Sequence, residues 1–262
     1  MAIWKRTVEQ VVDKRFDRAL LAFAPSFTQN QALIAERSGP SALKFNQQEV
    51  ERIHQYLSGK LIKGSDANES TFYQLAPQSQ LLHLATHGIA NDDDPLQSGL
   101  YFSTEKDTLE DGFLSALEIY GMQLDADLAV ISACNTGYGK LAAGEGVMSL
   151  GRAFSYAGCK SILMSLWLAN DQSTAQLMDR FYYYLKKGQS KEKALRQAKL
   201  DYLTEANMIN AHPYFWAGII AVGDMSPIRL QSGVFNWKWG MLVFVGLLFC
   251  MFLNYLWIPK NA

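Results

Sequence analysis

Two hydrophobic periods alternate along this chain. Short continuous apolar runs predict buried strands, and i, i+3, i+4 spacings predict amphipathic helices. Residues 1–17 carry Val8, Val11, Val12 and Phe16 at helical spacing. Residues 19–24 form an apolar run stopped by Pro25, the pattern of a first buried strand. Residues 28–43 read as loop. Residues 47–57 place Val50, Ile53, His54 and Leu57 on one helical face, and Leu61 with Ile62 form a short strand. Residues 68–75 predict a short helix capped by Asn68 or Asp66. The apolar run from residue 81 predicts a strand ending at His87. An acidic turn at 91–95, a strand at 99–103 and a short helix at 113–119 follow.

A second strongly apolar run, from residue 127, predicts a strand ending at Cys134. Helices are expected at 144–157, 173–187 and 191–203, with strands at 161–167 and 217–223. In the second of these helices Leu177, Met178, Phe181, Tyr182 and Leu185 share a face. Strands alternating with helices predict an α/β fold, with a mostly parallel sheet and helices on both faces.

The last apolar stretch differs in kind. Residues 239–258 run for twenty positions without a charge. A helix of that length spans ~30 Å, the thickness of bilayer hydrocarbon. Trp237 and Trp239 at one end and Tyr255 and Trp257 at the other match the aromatic belts of a spanning segment. The expected organisation is a helical extension at 1–16, a domain at 17–224, a linker at 225–236, a transmembrane helix at 237–258 and a tail at 259–262. The first residues contain no apolar run long enough for a secretion signal. The expected product is a single-pass membrane protein held by a C-terminal anchor, with its domain in the cytoplasm.

Composition adds limits. The 262 residues are 49% hydrophobic and 19% charged, enough for a sizeable core. A net charge of −1 gives no electrostatic case for nucleic acid as a partner. The three cysteines, Cys134, Cys159 and Cys250, form neither a disulfide framework nor a Cys-x-x-Cys pair, so no metal site is expected. The glycines at 137, 139, 144 and 146 match neither phosphate-binding spacing, and no cofactor is expected.

The chemistry concentrates at the ends of two strands. In an open parallel sheet, ligands and catalytic groups collect beyond the carboxyl ends of the strands. If the runs ending at His87 and Cys134 are neighbours, a thiol and an imidazole meet at one sheet edge. The imidazole would take the thiol proton, and the thiolate is the competent nucleophile. Gly88 and the backbone of Cys134 are the candidate oxyanion donors.

The order of motifs goes further. Thr86-His87-Gly88, Ser132-Ala133-Cys134-Asn135-Thr136-Gly137, Gly144-Glu145-Gly146-Val147, Ala153-Phe154-Ser155-Tyr156-Ala157-Gly158, Ser165-Leu166-Trp167 and His212-Pro213-Tyr214-Phe215-Trp216-Ala217-Gly218 occur in sequence. From about residue 16 to residue 224 the chain resembles the CHAT family, caspase-like domains often joined to tetratricopeptide repeats and related more distantly to caspases, separase and gingipains. The resemblance implies a caspase-hemoglobinase-like fold and a Cys-His dyad of Cys134 and His87. It further implies a cysteine endopeptidase that cleaves protein partners, with a tetratricopeptide-repeat regulatory module as a partner, and a bacterial setting. Trp167, Asp171 and Asp92 are candidate substrate-binding residues, because related proteases build their pockets from loops in these regions. Asp171 reads equally as a helix cap and Asp92 as part of a solvated turn. His83 is expected in the core or behind the site. Two rival readings keep the same fold: a catalytically silent interaction module at the membrane, and a cysteine hydrolase of small esters or amides.

Overall fold

A computed structural model describes residues 18–27, 43, 45–91, 93–132, 145–167 and 170–230. The chain divides into two compact units, Met1–Arg229 and Leu230–Ala262, and the fold described here is that of the first. Its principal sheet has six strands: β1 (Arg18–Pro25), β2 (Gly59–Gly64), β3 (Ser79–Leu84), β7 (Leu128–Ile131), β8 (Ser161–Ser165) and β9 (Ile219–Gly223). Their spatial order is β2-β1-β3-β7-β8-β9. All neighbours run parallel except β8 and β9, which are antiparallel. A second sheet, β4 (Gly88–Ile89), β5 (Gly99–Tyr101) and β6 (Phe113–Ser115), is wholly antiparallel.

Six α-helices are described: α1 (Asn46–Tyr56), α2 (Glu69–Leu75), α3 (Ala116–Tyr120), α4 (Glu145–Tyr156), α5 (Asp171–Lys186) and α6 (Lys191–Glu205). Parallel strands buried on both faces need helices on both faces, and the alternation of side chains shows that division. Leu21, Phe23, Leu82, Leu84, Ala129, Ile131, Ile162 and Met164 point into one core with Phe72 of α2, Ile119 of α3 and Phe154 of α4. The alternate residue His83 instead meets Glu49 of α1 and Tyr182 of α5. The expected α/β class, mostly parallel sheet and two-sided helices are all present.

Local signals account for several boundaries. Asn68, rather than Asp66, caps α2 by accepting from the Thr71 amide at 2.9 Å. Ser115 and Glu118 form a reciprocal capping box at the start of α3. Helix α4 ends in a left-handed turn at Gly158, φ +108°, with the Cys159 amide donating back to the Phe154 carbonyl at 2.9 Å.

Two expectations are corrected. The apolar run from residue 81 does not continue as strand to His87. It stops at Leu84, because from Thr86 onward the chain bonds to Tyr101 of the second sheet. Residues 113–119 are not one helix: Phe113–Ser115 pair with β5 before α3 begins, an override of local pattern by tertiary pairing. The helix expected at 1–17 and the spanning segment at 237–258 lie outside the described residues. Among those described, no helix is long and apolar enough to cross a membrane.

Candidate active site

The site lies beyond the carboxyl ends of β1, β3, β7 and β8. Register fixes the frame: Phe23 pairs with Leu84, and Leu84 pairs with Ile131, which pairs with Met164. The ladder extends one step past these strands. The Ala85 amide donates to the Phe23 carbonyl at 2.9 Å, and the Ser132 amide donates to the Leu84 carbonyl at 3.0 Å.

After Ala85 the chain changes sheets. The Thr86 hydroxyl donates to the Tyr101 carbonyl, and the Tyr101 amide donates to the His87 carbonyl at 2.8 Å. His87 is therefore held by its backbone at the junction of the two sheets. Its side chain is 7% exposed. The Phe27 ring lies against it, centroids 4.8 Å apart and planes inclined at 48°. Burial lowers the imidazole pKa from 6.5 to about 4, because the charged form is poorly solvated there. Burial by itself therefore favours the neutral ring.

Gly88 opens β4 opposite Leu100. Antiparallel pairs alternate between hydrogen-bonded and non-bonded positions. With His87 bonded to Tyr101, Gly88 falls on the non-bonded position, so its N–H points away from β5. In the order β4-β5-β6, that is the open edge of the second sheet.

Trp167 lies two residues beyond β8, half-buried, with its indole N–H donating to the Tyr214 carbonyl at 2.9 Å. Its ring lies over Gly218, the end of the His-Pro-Tyr-Phe-Trp-Ala-Gly segment. Asp171 opens α5, where its Oδ2 accepts from the Phe45 amide at 2.9 Å and so ties the start of α1 to the start of α5. The cap of α5 itself is Asn170, accepting from the Ser173 amide at 3.0 Å. Cys134 and Asp92 lie outside the described residues. Among the described residues, no group of three or more His, Cys, Asp or Glu is arranged to hold a metal ion.

A profile of the CHAT domain matches residues 5–224. The chain belongs to the CHAT domain family. Human Tetratricopeptide repeat protein 28 is 30% identical over 124 residues, 47% of this chain and 5% of that protein. The CHAT chain thus spans a small fraction of that curated relative. Two solved structures are similar to this chain. The Arg specific cysteine proteinase gingipain R (RGPB) aligns with a TM-score of 0.49 at 12% identity, over 86% of this chain and 52% of that one. The complex of Porphyromonas gingivalis RgpB pro- and mature domains aligns with a TM-score of 0.50 at 14% identity, over 84% and 50%. At 14% identity the likeness to the second concerns the fold alone, an α/β arrangement with a mostly parallel sheet.

The sequence reading missed several residues around His87. Phe27 falls between the strand expected at 19–24 and the loop expected at 28–43, with no period to mark it. Asn46 is one residue before the expected start of α1, and its bonds run to distant backbone. An asparagine at a helix start was the available signal, but it pointed to capping.

Proposed function

We propose that this CHAT domain is a cysteine endopeptidase in which Cys134 attacks the scissile carbonyl and His87 serves as base and acid. The observation that carries the reading is a register. Leu84 and Ile131 are paired across adjacent parallel strands. His87 and Cys134 each follow their own partner by three residues in the sequence. Equal offsets beyond paired positions on neighbouring strands support a two-residue site beyond the carboxyl ends of the sheet.

The chemistry follows from the surroundings of His87. A buried neutral imidazole can accept a proton, and the thiolate it creates supplies the counter-charge for the imidazolium. The thiolate adds to the carbonyl carbon, and the oxyanion is met by the Gly88 N–H, aimed at an open edge, and by the Cys134 N–H. The imidazolium then protonates the leaving amine, and water, deprotonated by His87, releases the acyl group from sulfur. Trp167, Asp171 and Asp92 are the proposed substrate contacts. Trp167 shares the sheet edge and is half-buried, whereas Asp171 has one carboxylate oxygen committed to the Phe45 amide.

The same reading places the protein at a membrane through residues 237–258, with the domain on the cytoplasmic side. It also assigns a tetratricopeptide-repeat protein as partner or regulator, in keeping with the name of the human relative. The test is cleavage of a peptide library by the full chain in detergent, wild type beside Cys134→Ala. Cleavage products that disappear in the variant support the endopeptidase. Identical products, or turnover of small acyl esters alone, would refute it.

A further inference from the structure

Asn46 is 4% exposed, and its side chain is fully committed. Its Nδ2 donates to the Pro25 carbonyl at 3.1 Å and to the Ala85 carbonyl at 3.3 Å. Its Oδ1 accepts from the Gln47 amide at 2.8 Å. Both amide hydrogens are thus spent on backbone far away in sequence, although the residue opens a helix whose own amides need acceptors.

The two carbonyls are the last of β1 and the first beyond β3. Two residues past Pro25 comes Phe27, and two residues past Ala85 comes His87. The rings of these two residues pack together at 4.8 Å. Helix α1, which carries Asn46, is itself braced. Its N-terminal side receives Asp171, Tyr56 at its other end donates to Asp179 at 2.9 Å, and Glu49 in its first turn lies 2.9 Å from His83.

We propose that Asn46 is the positioning residue for His87: its amide clamps the exits of β1 and β3, so that Phe27 covers one side of the imidazole and fixes the ring plane. The proposal rests on the reading of His87 as the base of the site. Asn46 does not touch the reacting atoms. It sets where the base stands, and Phe27 supplies the apolar cover that keeps the base neutral.

The test is a titration of the His87 imidazole by NMR in the full chain carrying Cys134→Ala, which removes the thiolate that would hold the imidazolium, with the histidine signals assigned by single His→Gln variants. With Phe27 and Asn46 in place, the ring should titrate near the value of about 4 expected of the buried ring. Phe27→Leu and Asn46→Leu should each raise the midpoint by about one unit or more toward the ordinary 6.5, as the ring gains water. Phe27→Tyr, which keeps an aromatic face, should hold the midpoint near that of the Cys134→Ala chain. Should Asn46→Leu fail to fold, Asn46→Ser removes the same two donors with a smaller change. Folded Phe27→Leu and Asn46 variants whose midpoints stay at that of the Cys134→Ala chain would overturn the proposal. Alkylation of Cys134 in wild type and His87→Ala reads the dyad separately. Equal rates there would remove the catalytic reading, while the titration still decides whether Asn46 places the ring.

Discussion

His83 Nε2 lies 2.9 Å from Glu49 Oε1, with side chains 0% and 2% exposed. The other ring nitrogen, Nδ1, stands 3.1 Å from the Tyr182 hydroxyl, which is also fully buried. This three-residue chain crosses from β3 to α1 and α5, on the sheet face opposite the apolar cluster of Phe72 and Phe154. Tyr182 is raised well above its usual pKa by burial and by the Glu49 charge, so it stays a hydroxyl. Nε2 stands beside the Glu49 carboxylate at contact distance, without a hydrogen bond between them.

Breaking such a pair from one side should cost more than replacing it. Removing one partner of a buried polar contact leaves the other unsatisfied and typically costs about 1–3 kcal/mol. His83→Leu and Glu49→Leu are each expected to lose stability on that scale. The double variant should lose clearly less than the sum. Urea unfolding of the four proteins checks this, and strict additivity would show that the two side chains are not coupled.

The pH dependence of folding should carry two opposed contributions. Burial lowers His87 to about 4, so the unfolded state binds more protons between that value and 6.5. Stability from this group is complete above 6.5 and is lost as pH falls toward 4, by roughly 3 kcal/mol at most. Glu69, 0% exposed, behaves inversely. Burial, reinforced by Glu118, Asp111 and Glu110, raises its carboxyl from 4.5 to about 7. The native state then binds more protons, and stability falls as pH rises from 4.5 to about 7, again by roughly 3 kcal/mol at most. Relative to wild type, His87→Gln should therefore gain as pH falls through its window. Glu69→Gln should gain as pH rises through its own. Unfolding midpoints measured from pH 4 to 8 check both signs, and flat difference curves would contradict them.

Trp167 and Gly218 provide a local test of the site wall. A Cβ added at Gly218 would stand 2.6 Å from the Trp167 indole carbon Cε2. The indole must move, which breaks its bond to the Tyr214 carbonyl. Gly218→Ala should cost about 1–3 kcal/mol and shift the Trp167 fluorescence to the red as the ring gains water. A variant with wild-type emission and stability would show that the ring has room.

Most of the principal sheet is legible because β1, β3, β7 and β8 carry apolar runs, whereas β2 offers only Leu61 and Ile62 between lysines. That β3 and β7 are neighbours is only a condition at the level of sequence, and the pairing of Leu84 with Ile131 supplies it. The second sheet was not legible. Gly88–Ile89 is too short to carry a period, and Phe113–Ser115 reads as the start of a helix until Tyr101 pairs with it. For the same reason His87 was read as a strand end, although its position depends on the Tyr101 amide. Phe27 and Asn46 act through bonds to residues 20 to 60 positions away, a range that no local window reports.

The dyad is the central claim, and the alkylation rate of Cys134 as a function of pH tests it most directly. Cys250→Ser removes one competing thiol, and Cys159 is silent because burial pushes its pKa up to about 12. The account predicts a midpoint clearly below the ~8.5 of a free thiol, returning toward that value in His87→Ala. A midpoint at the free-thiol value in wild type, unchanged by His87→Ala, would contradict it.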